Sequence, residues 1–178
     1  TEDAKENEML YFTEIGEITP QLIANIASYR EPESLVLTNY NAVLHKVICD
    51  YSITEEKIVD MIKSITSDNK EKLFWYIQKP LKLEFFISIL ICLKYGDEYI
   101  VKPNYKADDK GIPYQHAPGN IGDINITSDT TNWLIEVTLI RNKTQQLNSE
   151  TANCIRHLLQ SNSENNYLSF VAPTVCPD

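Results

Sequence analysis

Cysteine is sparse: four residues, at 49, 92, 154 and 176, stand far apart, and no two form a Cys-x-x-Cys pair. That spacing excludes a zinc ribbon and a disulfide framework, so the thiols are expected to be reduced and mostly buried, as in an intracellular protein. His45 with Cys49 and Cys154 with His157 each lack a second pair at structural-zinc spacing. Long hydrophobic runs are missing too. The longest uncharged apolar stretch, residues 85–93, is far short of the roughly 20 residues that span a bilayer, so no membrane partner is expected. The opening Thr1-Glu2-Asp3 lacks a signal peptide's basic-then-apolar order, and Val175-Cys176-Pro177-Asp178 follows a strand-like run without a closing element. These ends suggest a piece of a longer protein.

Positive charge is also scarce. The 16 Lys and Arg face 25 Asp and Glu for a formal charge of -9, which at first argues against nucleic acid, because neutralisation of phosphate by Lys and Arg supplies most non-specific affinity. The distribution changes that. Residues 1–17 hold Glu2, Asp3, Glu6, Glu8, Glu14 and Glu17 against Lys5 alone, so more than half of the excess lies in that short segment.

What is present reads in two parts. Residues 1–80 suggest short helices: one capped by Thr19-Pro20, one over residues 39–51 with Ala42, Val43, Val47 and Ile48 on one side, and one after Thr54 carrying Ile58, Met61, Ile62 and Ile65. This is expected to be a helical connector or subdomain with an acidic N-terminal segment. Residues 81–178 differ. Residues 81–95 are apolar nearly all round, the mark of a buried helix. Strands are expected at 99–101, 123–127, 133–140 and 167–171, with turns at Asp108-Asp109-Lys110-Gly111 and Ala117-Pro118-Gly119-Asn120, and an amphipathic helix over 144–160. The order helix, strand, strand, strand, helix, strand favours a mixed sheet with a crossover helix.

The chemistry concentrates on carboxylates. A four-residue loop at 128–131 pairs Thr127 with Asn132 and so Asp123 with Glu136, on one face with β-carbons roughly 4.5–5.5 Å apart. Two carboxylates so close repel unless one takes a proton or a cation lies between them, and a hard ion such as Mg²⁺ prefers such oxygens. The bland alternative is a solvent-facing Glu136. On the following helix, Gln146, Glu150, Asn153 and His157 fall within about 60° of one another, either as a solvated face or as a stripe facing a site. Glu84, the lone acid of the apolar helix, either neighbours a cation or sits near the helix N-terminus in reach of solvent. His45 and His116 receive no role.

Several of these segments occur together in one known family. Residues 102–113, then Ala117-Pro118-Gly119-Asn120 to Gly122-Asp123-Ile124, then Leu134-Ile135-Glu136-Val137-Thr138-Leu139, then Gln145-Gln146 to Glu150 and Arg156-His157-Leu158 resemble the catalytic domain of the AlwI-type restriction and nicking endonucleases, over roughly residues 81–172. The resemblance implies an α/β (mixed α+β) fold, a PD-(D/E)xK-like αβββαβ nuclease core with a central mixed sheet flanked by helices. It implies a bacterial, cytoplasmic type IIS enzyme that cuts double-stranded DNA near a site read by an upstream recognition domain, acting as a homo- or heterodimer where both strands are cut. Glu84, Asp123, Glu136 and Glu150 then match the family's catalytic and metal-binding acids, with Mg²⁺ as cofactor and Mn²⁺ as its substitute. One departure stands out: the motif's lysine position is Thr138, and a fourth carboxylate, a second metal ion, or Gln146, Lys143 or His157 is expected to compensate, with Thr138 itself a candidate accessory group. Lys102, Lys106, Arg141, Lys143 and Arg156 are candidate phosphate contacts.

Residues 81–178 hold 11 acids and 8 bases, and the four site acids exceed that whole excess. Two bound Mg²⁺ ions bring the segment to about +1, so the acidic total does not exclude DNA. The competing readings are a non-catalytic or helper subunit that keeps the fold, and a repair or recombination nuclease on the same core.

Overall fold

A computed structural model describes residues 33–67, 73–118, 121–146, 154–156 and 165–174. The chain divides into two compact units, Thr1–Leu35 and Val36–Asp178, and the second carries the fold that follows. The helix expected around Thr19-Pro20 lies outside the described residues.

Helix α1, Glu33–Asp50, buries Leu44, Val47 and Ile48, a stripe at helical spacing. Ala42 and Val43, expected on the apolar side, are exposed; the stripe that meets the core is rotated past them. Helix α2, Glu55–Thr66, starts where its sequence dictates: the Thr54 side chain accepts the Lys57 N–H, Glu55 and Glu56 occupy the first turn, and Ile58, Met61 and Ile65 are buried. Helix α3, Lys79–Tyr95, has Pro80 in its first turn, where no intrahelical N–H is needed. Its all-round apolar surface is buried as expected, and Phe85, Phe86 and Ile89 are fully inaccessible. Phe74 packs edge-on against Phe85, ring centroids 5.2 Å apart.

The core is continuous across Pro80, joining Leu44, Val47, Ile58 and Met61 to Phe85, Phe86, Val101, Ile124, Ile126 and Ile135. Asn41 seats α1 against the next segment: its Nδ2 donates to the carbonyls of Gly96 and Tyr99, and its Oδ1 accepts from the Val101 N–H, all at 2.8 Å.

After α3 come strands β1 (Ile100–Pro103), β2 (Lys106–Ala107), β3 (Pro113–Gln115), β4 (Ile124–Thr127) and β5 (Thr131–Val137), the helical turn α4 (Lys143–Gln145) and strand β6 (Asn165–Val171). The main sheet has the order β1-β4-β5-β6. Neighbours are antiparallel except β5 and β6, which are parallel. A parallel pair needs a crossover connection, and the helix expected over 144–160 falls in that connection; residues 143–145 and 154–156 are helical, and the rest of it lies outside the described residues. Strand β5 stops at Val137, three residues before its expected end, because its register with β6 closes at Val137 and Val171.

The β2–β3 hairpin was not expected, since two- and three-residue strands show no alternation. Its turn was. Asp108 Oδ1 accepts from the N–H groups of Lys110 and Ile112 at 3.0 and 2.8 Å, and Gly111 has a φ of 80° with Val43 and Val47 packed where a side chain would stand. Among the described cysteines, Cys92 and Cys154 are buried and Cys49 is exposed, in keeping with thiols that are mostly buried. Burial pushes the Cys92 thiol up to about 11. No helix among the described residues is long and apolar enough to cross a membrane.

Candidate active site

The hairpin places the first two acids. Thr127 faces Asn132 and Ile124 faces Ile135, so the same register carried one step further sets Asp123 opposite Glu136. Alternation along the strands turns Ile124, Ile126 and Ile135 into the core shared with α3, and puts Asp123, Leu134 and Glu136 on the other face. Glu136 is only 6% exposed, with Leu134 buried beside it. A solvent-facing Glu136 is thereby excluded. Asp123 is half-buried, and its Oδ2 accepts from the Val137 N–H at 2.7 Å, which ties the acid across the hairpin.

Asn104 holds the segment before β4 in place. Its N–H donates to the Asp123 carbonyl at 2.9 Å, and its Nδ2 donates to the Gly122 carbonyl at 2.6 Å and to Asn125 Oδ1 at 2.7 Å. Gly122 lets the chain pass close over β5: a β-carbon there would lie 2.3 Å from Leu134 Cδ1 and 2.9 Å from Glu136 Oε1. Gly122→Ala is therefore expected to displace Glu136 and to cost about 1–3 kcal/mol as overpacking, read as a lower urea midpoint. A midpoint equal to wild type would show that the strand yields freely.

Glu84 approaches from α3. It is 4% exposed, so the solvent-reachable alternative does not hold. The His116 Nδ1 lies 2.6 Å from Glu84 Oε1, while Oε2 is buried with no hydrogen-bond partner. Burial pushes the Glu84 carboxyl up, the bond and charge of His116 pull it down, and the charge of Glu136 raises it again. Tyr105, whose hydroxyl is 3.1 Å from Ser88 Oγ, is pushed well up by burial, and the Glu84 charge adds to that. Such surroundings are poorly solvated and strengthen every charge interaction within them.

His116, which received no role from the sequence, is the residue that meets Glu84. Its partner is 32 residues away, on an element with no local relation to its own. Its side chain is 44% exposed and lines a groove of about 510 Å³ with Tyr76, Leu81, Ile112 and Tyr114, so the groove runs from solvent to the partner of Glu84.

The remaining candidates fall differently. Thr138 lies one residue beyond β5; its N–H donates to the Val171 carbonyl at 2.9 Å, and its Oγ1 accepts from the Ile140 N–H at 3.2 Å. Gln146 is buried and spends its Nε2 on the carbonyls of Ile140 and Thr174 at 2.6 and 2.8 Å, clamping the start of the crossover to the end of β6. Lys143 is exposed at α4. Glu150 and His157 lie outside the described residues. Of the basic candidates, Lys106, Arg141 and Arg156 are exposed, and Lys102 is half-buried with its Nζ 5.5 Å from the centre of the Tyr40 ring.

A hard divalent cation fits this donor chemistry. The fit rests on the buried Glu84 Oε2 that no protein donor meets, which a cation would satisfy. Among the described residues, no group of three or more His, Cys, Asp and Glu is arranged to hold a metal ion, so Glu84, Asp123 and Glu136 are at most part of a ligand set.

Comparison with known proteins bears on the fold and the family. No curated protein matches the chain. The crystal structure of the small subunit (R.BspD6I2) of the heterodimeric restriction endonuclease R.BspD6I matches with a TM-score of 0.54 and 24% identity, covering 67% of this chain. The chain spans 60% of the length of that subunit, and the likeness shows a shared restriction-endonuclease fold. The family match is broader: residues 8–178 match the AlwI restriction endonuclease family, a span that includes Glu84, His116, Asp123, Glu136 and Glu150, and the chain therefore belongs to that family.

Proposed function

We propose that the chain is the cleavage domain of a metal-dependent type IIS restriction or nicking endonuclease, hydrolysing phosphodiester bonds of double-stranded DNA. The observation that carries this reading is the pairing of Asp123 with Glu136 across one hairpin, together with a buried Glu84 that has one oxygen without a hydrogen-bond partner and is close enough for the Glu136 charge to raise its carboxyl. Asp123 and Glu136 would hold Mg²⁺ directly, with Glu84 and Glu150 as further ligands, and Mn²⁺ would substitute. When bound, the ion neutralises charge on the scissile phosphate and makes a water more acidic, the chemistry that leaves 5′-phosphate and 3′-hydroxyl ends. The chain itself supplies position: Asn104 and the Val137 N–H hold Asp123, the hairpin register holds Glu136, and burial keeps competing water from both Glu84 and Glu136. Lys102, Lys106, Arg141, Lys143 and Arg156 would steady the DNA backbone without reading its sequence, which is left to an upstream recognition domain in the bacterial cytoplasm.

The test is cleavage of plasmid DNA by the full-length protein in Mg²⁺, with the ends sequenced. Wild type is expected to cut and Asp123→Ala to be inactive; equal cutting by both would reject the site. A second reading, one strand cut as a subunit of a heterodimer, is favoured by the likeness to a subunit of a heterodimeric enzyme. Nicked circles as the only product of the lone protein would support it.

A further inference from the structure

We infer that His116 is a positioning residue for Glu84: it holds one carboxylate oxygen so that the other is presented to the divalent cation. This inference rests on the metal-dependent reading above and assigns a task to a residue outside the four acids.

The argument begins with Glu84 itself. A glutamate reaching from a helix has three rotatable bonds, and its carboxylate can point several ways unless something fixes it. Here the 2.6 Å contact from His116 Nδ1 to Oε1 does so, as short as the shortest charge-assisted bonds to an ionised acceptor. With Oε1 held, Oε2 remains buried and without a partner, which is costly for a charged oxygen unless a ligand completes it. Histidine suits the task because its other ring nitrogen can still meet solvent in the groove its exposed edge lines. Direct ligation by His116 through Nδ1 is disfavoured because that nitrogen is already engaged by Glu84. A residue that orients a ligand from outside the coordination sphere typically changes metal affinity by about 10–100-fold.

The test is calorimetric titration of the full-length protein with MgCl₂ in the absence of DNA, for wild type, His116→Ala, His116→Asn and Glu84→Gln. The amide nitrogen of asparagine falls close to where Nδ1 stands, so it preserves the donor. Expected are saturable binding by wild type, weakening of about 10–100-fold in His116→Ala, recovery of most of that affinity in His116→Asn, a loss in Glu84→Gln at least as large as in His116→Ala, and a metal-free thermal midpoint that is lowered in His116→Ala, which leaves a buried carboxylate without its donor, and restored in His116→Asn. Saturable binding with the same affinity in wild type and His116→Ala would overturn the positioning role and leave the nuclease reading standing. Equal losses in His116→Ala and His116→Asn would also overturn it, because a donor that counts must be rescued by a donor. Absence of saturable Mg²⁺ binding by wild type would overturn both together.

Discussion

Replacing Glu136 with glutamine is expected to lower DNA cleavage by the full-length protein by about 10²–10³-fold in Mg²⁺, the scale on which losing one electrostatic contact at a reaction centre is felt. Glutamine keeps the volume of the side chain, so the space beside Gly122 and Leu134 stays filled. What disappears is one negative charge in a poorly solvated setting. That same charge raises the Glu84 carboxyl, so its removal relieves a repulsion the metal-free fold carries. Glu136→Gln is therefore expected to unfold at the same urea concentration as wild type or a higher one, while cutting far less. The two effects would have opposite signs if, as proposed, these acids serve a cation at the expense of stability. Cleavage at the wild-type rate, or a marked loss of stability with the loss of cutting, would contradict the assignment.

The largest effect on stability is expected from Phe85→Ala, at about 3–5 kcal/mol. Phe85 is fully inaccessible, and its ring meets Phe74, Phe86 and Tyr105 at centroid distances of 5.2, 5.9 and 6.1 Å. These partners come from the segment before α3, from α3 and from the β1–β2 connection, so the cavity cannot close by a shift of any one element. Because Phe85 follows Glu84 directly, the variant should also weaken Mg²⁺ binding by loosening the helix turn that carries the acid. Denaturation in urea measures the first effect, and titration with MgCl₂ the second. By contrast, Tyr114 on the exposed side of the groove should tolerate alanine within about 0.5 kcal/mol. A cost for Phe85→Ala as small as that would mean that the aromatic cluster is not what unites the helices with the sheet.

Local rules account for the parts of the fold that were legible. The Thr54 cap, the start of α3 at Pro80, the Asp108–Gly111 turn and the strand alternation around Ile124, Ile126 and Ile135 each follow from a few adjacent residues. The Asp123–Glu136 pairing was legible for the same reason, since a hairpin with a four-residue loop has its register set by the loop. The α1 face, the β2–β3 hairpin and the exposure of Cys49 were not. They depend on which neighbour each segment meets: α1 turns Leu44 rather than Val43 to the core, and short strands form only because a turn brings them together.

The sequence by itself determined the order of elements, the cross-strand acid pair and the family motifs, because all three are encoded over short spans or in fixed spacing. Tertiary structure alone decided that Glu84 is buried, that His116 reaches it, and that Gln146 is spent on two carbonyls. Each of those outcomes joins groups from separate elements, 32 residues apart for Glu84 and His116, and such a contact exists only once packing has closed the chain around it. A lone acid in an apolar helix is a question in the sequence; its two oxygens, one held and one without a donor, are visible only in the fold.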